Sequence, residues 1–496
     1  MIFERFRDTA HKYQDRPAII DDGQEITYGG LLERTGEMRR WLQETLSPEP
    51  GEIIAASLRN TWQFVAGFFA ISELGGVLVP CNPQWRAPEL RWLATRLGFR
   101  GVIAEPQFRA EWDCLADIVS PQSVLTVNQA SSRCETSDVW RPLQSMNEDN
   151  PALYLSTSGS TGVPRLVPRT HRNLEAVARN VACALGAGPG CRFLGAVPFF
   201  HANGFHNCML MPLISGATLV LMKQFSATAC AELVHRERVD VLIGSPFLFS
   251  TLVDSGAEPG LLSTLRFCFS AGARMSAAVQ GSWRDRFGVR VRQWYGMSET
   301  GTISIDLADE EQPSGAGTFI GTAIPGIEVR SLASGGRDIG PGVAGELAVR
   351  SETVMPGYVD EPELNQHILQ GGFFRTGDLG YLDASGNLYL TGRMHRVVNL
   401  AGVKVDPVEV EQAVEALSAV SACLVDAVPN GRLGEVMRAR IVVREGQQIT
   451  RHDVIEQCRL RLAEYKLPRI VEFVESLHTT ITGKRPMPRS ADESVR

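Results

Sequence analysis

Short apolar runs alternating with amphipathic stretches constrain this chain more than any other feature. The runs are Ile53–Ala56, Val77–Val79, Val102–Ala104, Val124–Val127, Phe193–Val197, Leu219–Met222, Val241–Ile243 and Leu265–Phe269. Runs this short and this apolar suit strands buried on both faces, with helices as the crossovers between them. The expected fold is therefore α/β, with mainly parallel sheets flanked by helices. The most apolar stretch, Phe64 to Pro80, carries Glu73 and is broken by Gly67, Gly75 and Gly76. That is too broken to span a bilayer. It predicts a core helix followed by a strand at Val77–Val79. Asn60 or Thr61 can cap the start of that helix, and Gly75-Gly76 can end it.

A chain of 496 residues exceeds one typical core, so two or more domains are expected. From about Glu328, Gly-rich turns separate short alternating strands: Gly345 to Arg350, Gly372 to Asp378, and Gly386 to Arg393. They predict a small β-rich subdomain over 328–392 within a large N-terminal domain, 1–392. A second pattern follows in 393–496, with helices at Val408–Leu417 and His452–Leu462 and strands at Ala422–Val428 and Ala439–Val443. It predicts a small, mobile α+β C-terminal domain. Ser120 to Asn150 is rich in Ser, Asn and Gln and reads as a variable surface connection. The net charge of −7 leaves no basic surplus for a nucleic-acid partner. The ten cysteines form no Cys-x-x-Cys pair, and Cys208 and Cys268 sit in apolar runs as buried thiols would. With no signal-peptide h-region at the N-terminus, a reducing cytoplasmic setting is expected.

The chemistry-bearing motifs begin at residue 151. The apolar run Pro151 to Leu155 reads as a buried strand that empties into a Ser/Thr/Gly loop, Thr157-Ser-Gly-Ser-Thr-Gly-Val-Pro-Arg165. Gly159 and Gly162 let backbone N–H groups approach a ligand closely, which suits an anion such as a phosphate. No Gly-Lys-Ser/Thr closes the loop, so it is not a Walker A motif. Alone, such a loop is more often a surface turn. Further motifs follow in order: Pro198-Phe-Phe-His-Ala-Asn-Gly204, Ser270-Ala-Gly-Ala-Arg274, Tyr295-Gly-Met-Ser-Glu-Thr-Gly301 and Phe374-Arg-Thr-Gly-Asp-Leu379. Then come Gly392-Arg393 with Gly402-Val-Lys-Val405, and Thr482-Gly-Lys484. In this order the set resembles the adenylate-forming superfamily of acyl-CoA synthetases, peptide-synthetase adenylation domains and luciferases. The resemblance runs from the first residues to Lys484.

The resemblance implies a two-step reaction. A carboxylate attacks the α-phosphorus of ATP and pyrophosphate leaves. The acyl group then passes to a thiol. Fixed cations and oriented dipoles are what such charge rearrangement needs. Thr157, Ser158, Gly159, Ser160 and Thr161 would hold the β- and γ-phosphates, with Gly162 and Arg165 also binding the nucleotide. Glu299 would hold Mg²⁺, a hard cation suited to a carboxylate and phosphate oxygens. Gly272, Ala273 and Arg274 would meet the adenine edge. Trp294, Tyr295, Gly296, Met297 and Ser298 would line the nucleotide, Tyr295 by stacking. Asp378 would accept both ribose hydroxyls. Lys484 would bridge the carboxylate and the α-phosphate, and Arg393 would serve both nucleotide and catalysis. His395 would be the hinge that turns the C-terminal domain, bringing Gly402 and Lys404 to the site for thiolation. ATP, Mg²⁺ and coenzyme A are the implied cofactors and co-substrate.

Several positions depart from the family pattern. Arg165-Leu166 stands where Lys-Gly is usual, keeping the charge as a planar fork. His395-Arg396 occupies the hinge, and His478-Thr479 replaces a Pro-Arg before the lysine motif. Arg165-Leu-Val-Pro-Arg-Thr-His171 resembles the aryl-acid-activating branch. The acyl pocket implied by the resemblance comprises Phe200, His201, Ala202, Phe205, Phe247, Ser270 and Met297. It is mainly apolar or aromatic. Ala202 supplies neither the Asp that anchors a substrate amine nor the Asn that meets a ring hydroxyl in relatives. A buried ammonium without a partner is costly, so a neutral aryl or medium-chain acid is expected. His201 and His206 are spaced badly for a metal pair. Coenzyme A is the favoured acceptor. An acyl carrier protein is the alternative, and a non-catalytic AMP-binding relative is the third reading.

Overall fold

The alternating apolar runs form strands close to their expected positions, because each is flanked by residues that can end it. The computed structural model describes residues 1–496 except 86, 128–146, 158–164, 274, 311–316, 334, 394–397, 401–402, 406, 431–433, 463 and 478–496. The fold is mixed α/β. A six-stranded sheet runs in the order Val124–Thr126, Phe99–Ala104, Ile53–Ser57, Val77–Pro80, Pro151–Thr157 and Arg165–Thr170. Its first five strands are parallel and its last is antiparallel. A fourteen-stranded sheet has a parallel centre: Thr218–Leu221, Arg192–Gly195, Val241–Gly244, Phe267–Ala271 and Val291–Met297. Leu265 and Arg266, expected to open the fourth of these strands, precede it instead.

Beyond Val291–Met297 the same sheet turns antiparallel. It continues through Gly301–Ile305, Thr318–Ala323, Asn387–Arg393, Phe373–Leu382, Gly345–Arg350 and Glu328–Leu332. The β-rich strands expected as a subdomain are thus hydrogen-bonded onto the main sheet, since Asn387–Arg393 ladders onto Thr318–Ala323. They bring an apolar cluster of their own around Ile303, Ile320, Leu347, Val349 and Leu388. A five-stranded sheet follows, built from Val398–Leu400, Val403–Val405, Val420–Asn430, Gly434–Val443 and Ile470–Phe473. Val410, Val414, Met437, Ile441 and Val454 fill the core between it and helices Pro407–Glu415 and Arg451–Arg459. No helix among the described residues is long and apolar enough to cross a membrane.

The helix Trp62–Glu73 is where the main core sits. Thr61 caps it, its Oγ1 accepting from the Phe64 N–H at 3.3 Å. Gly75, with φ of +72°, lets the chain leave it in the left-handed region. Its buried Phe64, Phe68 and Phe69 contribute roughly 2–3 kcal/mol each of transfer free energy. Phe69 stacks on Phe6 of the first helix at 4.0 Å between ring centroids. Asn60, the other candidate cap, has a different task. Its amide nitrogen donates to the carbonyls of Gly195 at 2.8 Å and Val197 at 3.0 Å, and its Oδ1 accepts from the Phe199 N–H at 2.9 Å. One buried amide thus ties the end of the core helix to the loop leaving strand Arg192–Gly195.

Two buried histidines make the fold sensitive to acid. Burial pushes the His171 imidazole down to about 4 from an ordinary 6.5. Burial and the Arg169 cation hold His206 well below its ordinary value. Above pH 6.5 His171 is neutral in both the folded and unfolded chain. As pH falls from 6.5 towards about 4, the unfolded chain binds a proton that the folded chain refuses, so stability is lost across that window. The ceiling from His171 alone is about 3 kcal/mol. The denaturant midpoint will be lower near pH 5 than near pH 7.5, and His171→Gln will shrink the difference. Equal midpoints at the two pH values would contradict the burial argument.

Candidate active site

Two hairpins carry several of the sequence-expected nucleotide residues. The first joins Pro151–Thr157 to Arg165–Thr170, with Thr157 opposite Arg165 and the Thr157 Oγ1 donating to the Arg165 carbonyl at 3.4 Å. The Ser/Thr/Gly loop, 158–164, is the connection of this hairpin and lies outside the described residues. The second joins Val291–Met297 to Gly301–Ile305 through the turn Ser298-Glu299-Thr300. Close approach needs glycine here: a Cβ on Gly296 would overlap the Gly301 carbonyl, and Gly301 itself has φ of +69°.

Glu299 stands half-buried in that turn. Its Oε1 accepts from the Tyr358 hydroxyl at 2.7 Å. The Arg165 guanidinium lies 5.6 Å from the centre of the Tyr358 ring. Thr157, Arg165, Tyr358 and Glu299 are thereby linked in one chain of contacts. From inside the protein, the Arg169 guanidinium donates to the carbonyls of Ser298 at 3.3 Å and Glu299 at 2.8 Å. Arg169 is fully buried, and burial pushes its guanidinium down to about 9 against the attraction of Glu299. It remains a cation at neutral pH.

Asp378 and Tyr295 form the second contact. The Tyr295 hydroxyl donates to the Asp378 Oδ2 at 2.7 Å, and Thr376 Oγ1 accepts from the Asp378 N–H at 3.1 Å. Asp378 is only 2% exposed and lies opposite Arg393 across the ladder. Ala271 pairs with Trp294, so Gly272 and Ala273 leave their strand beside Tyr295. Gly272 has φ of +84°, which turns the chain there at no steric cost. Trp294 faces the other way. Its indole N–H donates to Thr302 Oγ1 at 3.0 Å and its ring meets Phe269 edge-on. Alternation along the strand explains this, because neighbouring residues take opposite faces.

The expected acyl-pocket residues separate into layers. Phe200 and His201 lie ring to ring at 4.4 Å on the loop that Asn60 holds. Ala202 and Met297 are half-buried against the main core. Phe205 is fully buried, edge-on to Phe68 at 4.8 Å, inside the π-helical segment Gly204–Leu210. Ser270 is also fully buried, in strand Phe267–Ala271. Phe247 is the outermost, 59% exposed on the first turn of helix Pro246–Asp254. Arg274, His395, Gly402 and Lys484 lie outside the described residues, and the strands give only the backbone positions of Arg393 and Lys404.

Residues 6–359 match the AMP-binding enzyme family, and 409–484 match the AMP-binding enzyme C-terminal domain. The chain belongs to the AMP-binding enzyme family. It is an AMP-forming acid–thiol ligase in type. Among its relatives, a feruloyl-CoA synthase from Amycolatopsis sp is 30% identical over 475 residues, covering 94% of each chain. A medium-chain fatty-acid–CoA ligase from Escherichia coli is 28% identical over 501 residues, covering 97% of this chain and 88% of the relative. ATP-bound MatB from Rhodopseudomonas palustris, a solved structure, superposes with a TM-score of 0.88 at 25% identity, covering 98% and 97% of the two chains. Three residues of these contacts were not legible as such in the sequence: Arg169, Tyr358 and Asn60. Only the run containing Arg169 carried a signal, through its likeness to aryl-acid-activating sequences.

Proposed function

We propose that this enzyme activates a neutral aryl or medium-chain carboxylic acid with ATP and transfers it to coenzyme A. The observation that carries the reading is that the Tyr295–Glu299 hairpin contacts both a buried aspartate, through Tyr295, and the strand-end Arg165, through Tyr358 and Glu299. One rigid hairpin would then meet sugar and phosphates at once. Ala202 and Met297 offer no charge to a substrate ammonium, in keeping with a neutral acid. The similarity to a feruloyl-CoA synthase and a medium-chain fatty-acid–CoA ligase favours the same substrate range.

In this reading Asp378 accepts the ribose hydroxyls and Tyr295 stacks on adenine. Thr157 and the loop after it hold the β- and γ-phosphates, with Arg165 as a fixed cation. A substrate carboxylate oxygen attacks the α-phosphorus, and the bond to the pyrophosphate oxygen breaks. The thiol of coenzyme A then attacks the acyl carbonyl and AMP leaves. The donor set suits Mg²⁺. The Glu299 carboxylate is linked through Tyr358 to Arg165, which follows the hydroxyl-rich run in sequence, and no cluster of three or more His, Cys, Asp or Glu ligands exists among the described residues. Mg²⁺ keeps waters and phosphate oxygens and needs only one or two carboxylates. Bound there, it would neutralise phosphate charge. The division at 392/393 is the functional boundary in this reading; strand Asn387–Arg393 carries the main sheet one residue past it, and the next strand, Val398–Leu400, belongs to the five-stranded sheet.

ATP–pyrophosphate exchange across a panel of aryl, aliphatic and amino acids tests the reading. Exchange should be strongest with neutral aryl or medium-chain acids, and Asp378→Ala should raise the KM for ATP. A preference for α-amino acids would refute the neutral-acid assignment. Thioester formation with a phosphopantetheinylated carrier protein but not with coenzyme A would replace the acceptor.

A further inference from the structure

Arg169 holds the Ser298–Thr300 turn by its backbone and Tyr358 holds it by the Glu299 carboxylate, and no step above uses either. Arg169 comes from strand Arg165–Thr170 of the six-stranded sheet. The turn it grips, Ser298-Glu299-Thr300, belongs to the fourteen-stranded sheet. A fully buried guanidinium is expensive, since desolvating a charge without a carboxylate partner is unfavourable. Its Nε and one terminal nitrogen have no hydrogen-bond partner among the described residues. Packing alone would be served by an apolar side chain of similar length. What the guanidinium adds is one rigidly placed terminal nitrogen, Nη1, that donates to two successive carbonyls, Ser298 and Glu299, and so fixes the backbone on both sides of the peptide between them. Tyr358 fixes what the backbone leaves open, the rotation of the carboxylate, by donating to Oε1 at 2.7 Å. The Tyr358 ring also lies against the Arg165 guanidinium. The phosphate-loop hairpin and the Glu299 turn therefore share one aromatic spacer.

We propose that Arg169 and Tyr358 are positioning residues that clamp the Ser298–Thr300 turn and aim the Glu299 carboxylate at a divalent cation. This rests on reading Glu299 as the metal-holding acid. Groups that orient a metal ligand typically change metal affinity by about 10–100-fold when removed. Tyr358→Phe deletes the hydroxyl and keeps the ring. Arg169→Lys keeps the charge and loses the fixed, planar placement of Nη1 at the two carbonyls.

The experiment uses the full chain and titrates Mg²⁺ into protein with α,β-methylene-ATP, followed by calorimetry. Melting temperature without Mg²⁺ is measured in parallel. Tyr358→Phe should raise the Mg²⁺ concentration for half-saturation about tenfold while its melting temperature shifts by no more than about 2 °C. Arg169→Lys should raise it at least as much. Glu299→Gln is the reference. If Glu299→Gln weakens Mg²⁺ dependence and the two clamp variants do not, the clamp is overturned and the reading of Glu299 survives. If none of the three moves it, the reading of Glu299 fails. A drop in melting temperature for Arg169→Lys with unchanged Mg²⁺ dependence would make Arg169 a packing residue only. Should Arg169→Lys fail to fold, Tyr358→Phe still decides the carboxylate half of the clamp.

Discussion

Lys484→Ala will cut carboxylate-dependent ATP–pyrophosphate exchange by about 10²-fold or more, the scale of losing one preorganised charge at a transition state. It will leave thioester formation from supplied acyl-adenylate largely intact. The asymmetry follows from the chemistry. In the first half-reaction a carboxylate must approach an already anionic α-phosphate, and a cation that bridges both relieves the repulsion as the new bond forms. In the second, a thiol attacks a carbonyl and AMP departs, so the same cation has little to do. Lys484 is read from the Thr482-Gly-Lys484 motif, inside the stretch 409–484 that matches the family's C-terminal domain. Both half-reactions must be measured on one preparation, with the adenylate added directly for the second. Equal losses in the two would remove Lys484 from the adenylation step and point to a general structural defect.

Gly204→Ala will destabilise the protein by about 3 kcal/mol or more, and exchange activity will be lost with it. The reason is steric. A Cβ at this position would lie 2.6 Å from the Val197 carbonyl oxygen and closer still to that of Pro198. Both obstacles are backbone, so no side chain can swing aside. The loop they belong to carries Phe200, His201 and Ala202 and is held by Asn60. Relief therefore requires moving that loop or breaking the Asn60 contacts. Gly281→Ala is the matched control. Gly281 lies inside helix Ala277–Phe287, and a Cβ there meets nothing within 4 Å. That exchange should stabilise by about 0.5–1 kcal/mol through helix propensity. Denaturant midpoints and exchange rates of the two variants check the pair. A Gly204→Ala protein as stable and active as wild type would mean the loop does not pass Gly204 this closely.

Local chemistry was legible in the sequence wherever a task demands particular residue types in a short run. The Ser/Thr/Gly loop, Tyr295 to Gly301 and Phe374 to Leu379 are such runs, because the phosphate, cation and sugar proposed for them would each need a defined donor or acceptor at fixed spacing. The parallel strands were legible for a similar reason. Burial on both faces requires continuous apolar residues, and Ile53–Ser57, Val77–Pro80 and Val241–Gly244 have them. Pairings across long separations were not legible. Arg169 meets Glu299 at a sequence distance of 130, Asn60 meets Phe199 at 139, and Tyr358 meets Glu299 at 59. Asn60 reads equally well as a helix cap, since the same amide can satisfy a local N–H or a distant one. Trp294 reads as a site residue until the strand's alternation turns its indole to Thr302. Sequence alone determined which strands this chain forms and the ordered motifs by which it resembles its family, because those depend on short-range periodicity and chemistry. Only the tertiary structure decided which side chains hold the acids in place. That depends on how two sheets dock, and no local pattern encodes the docking.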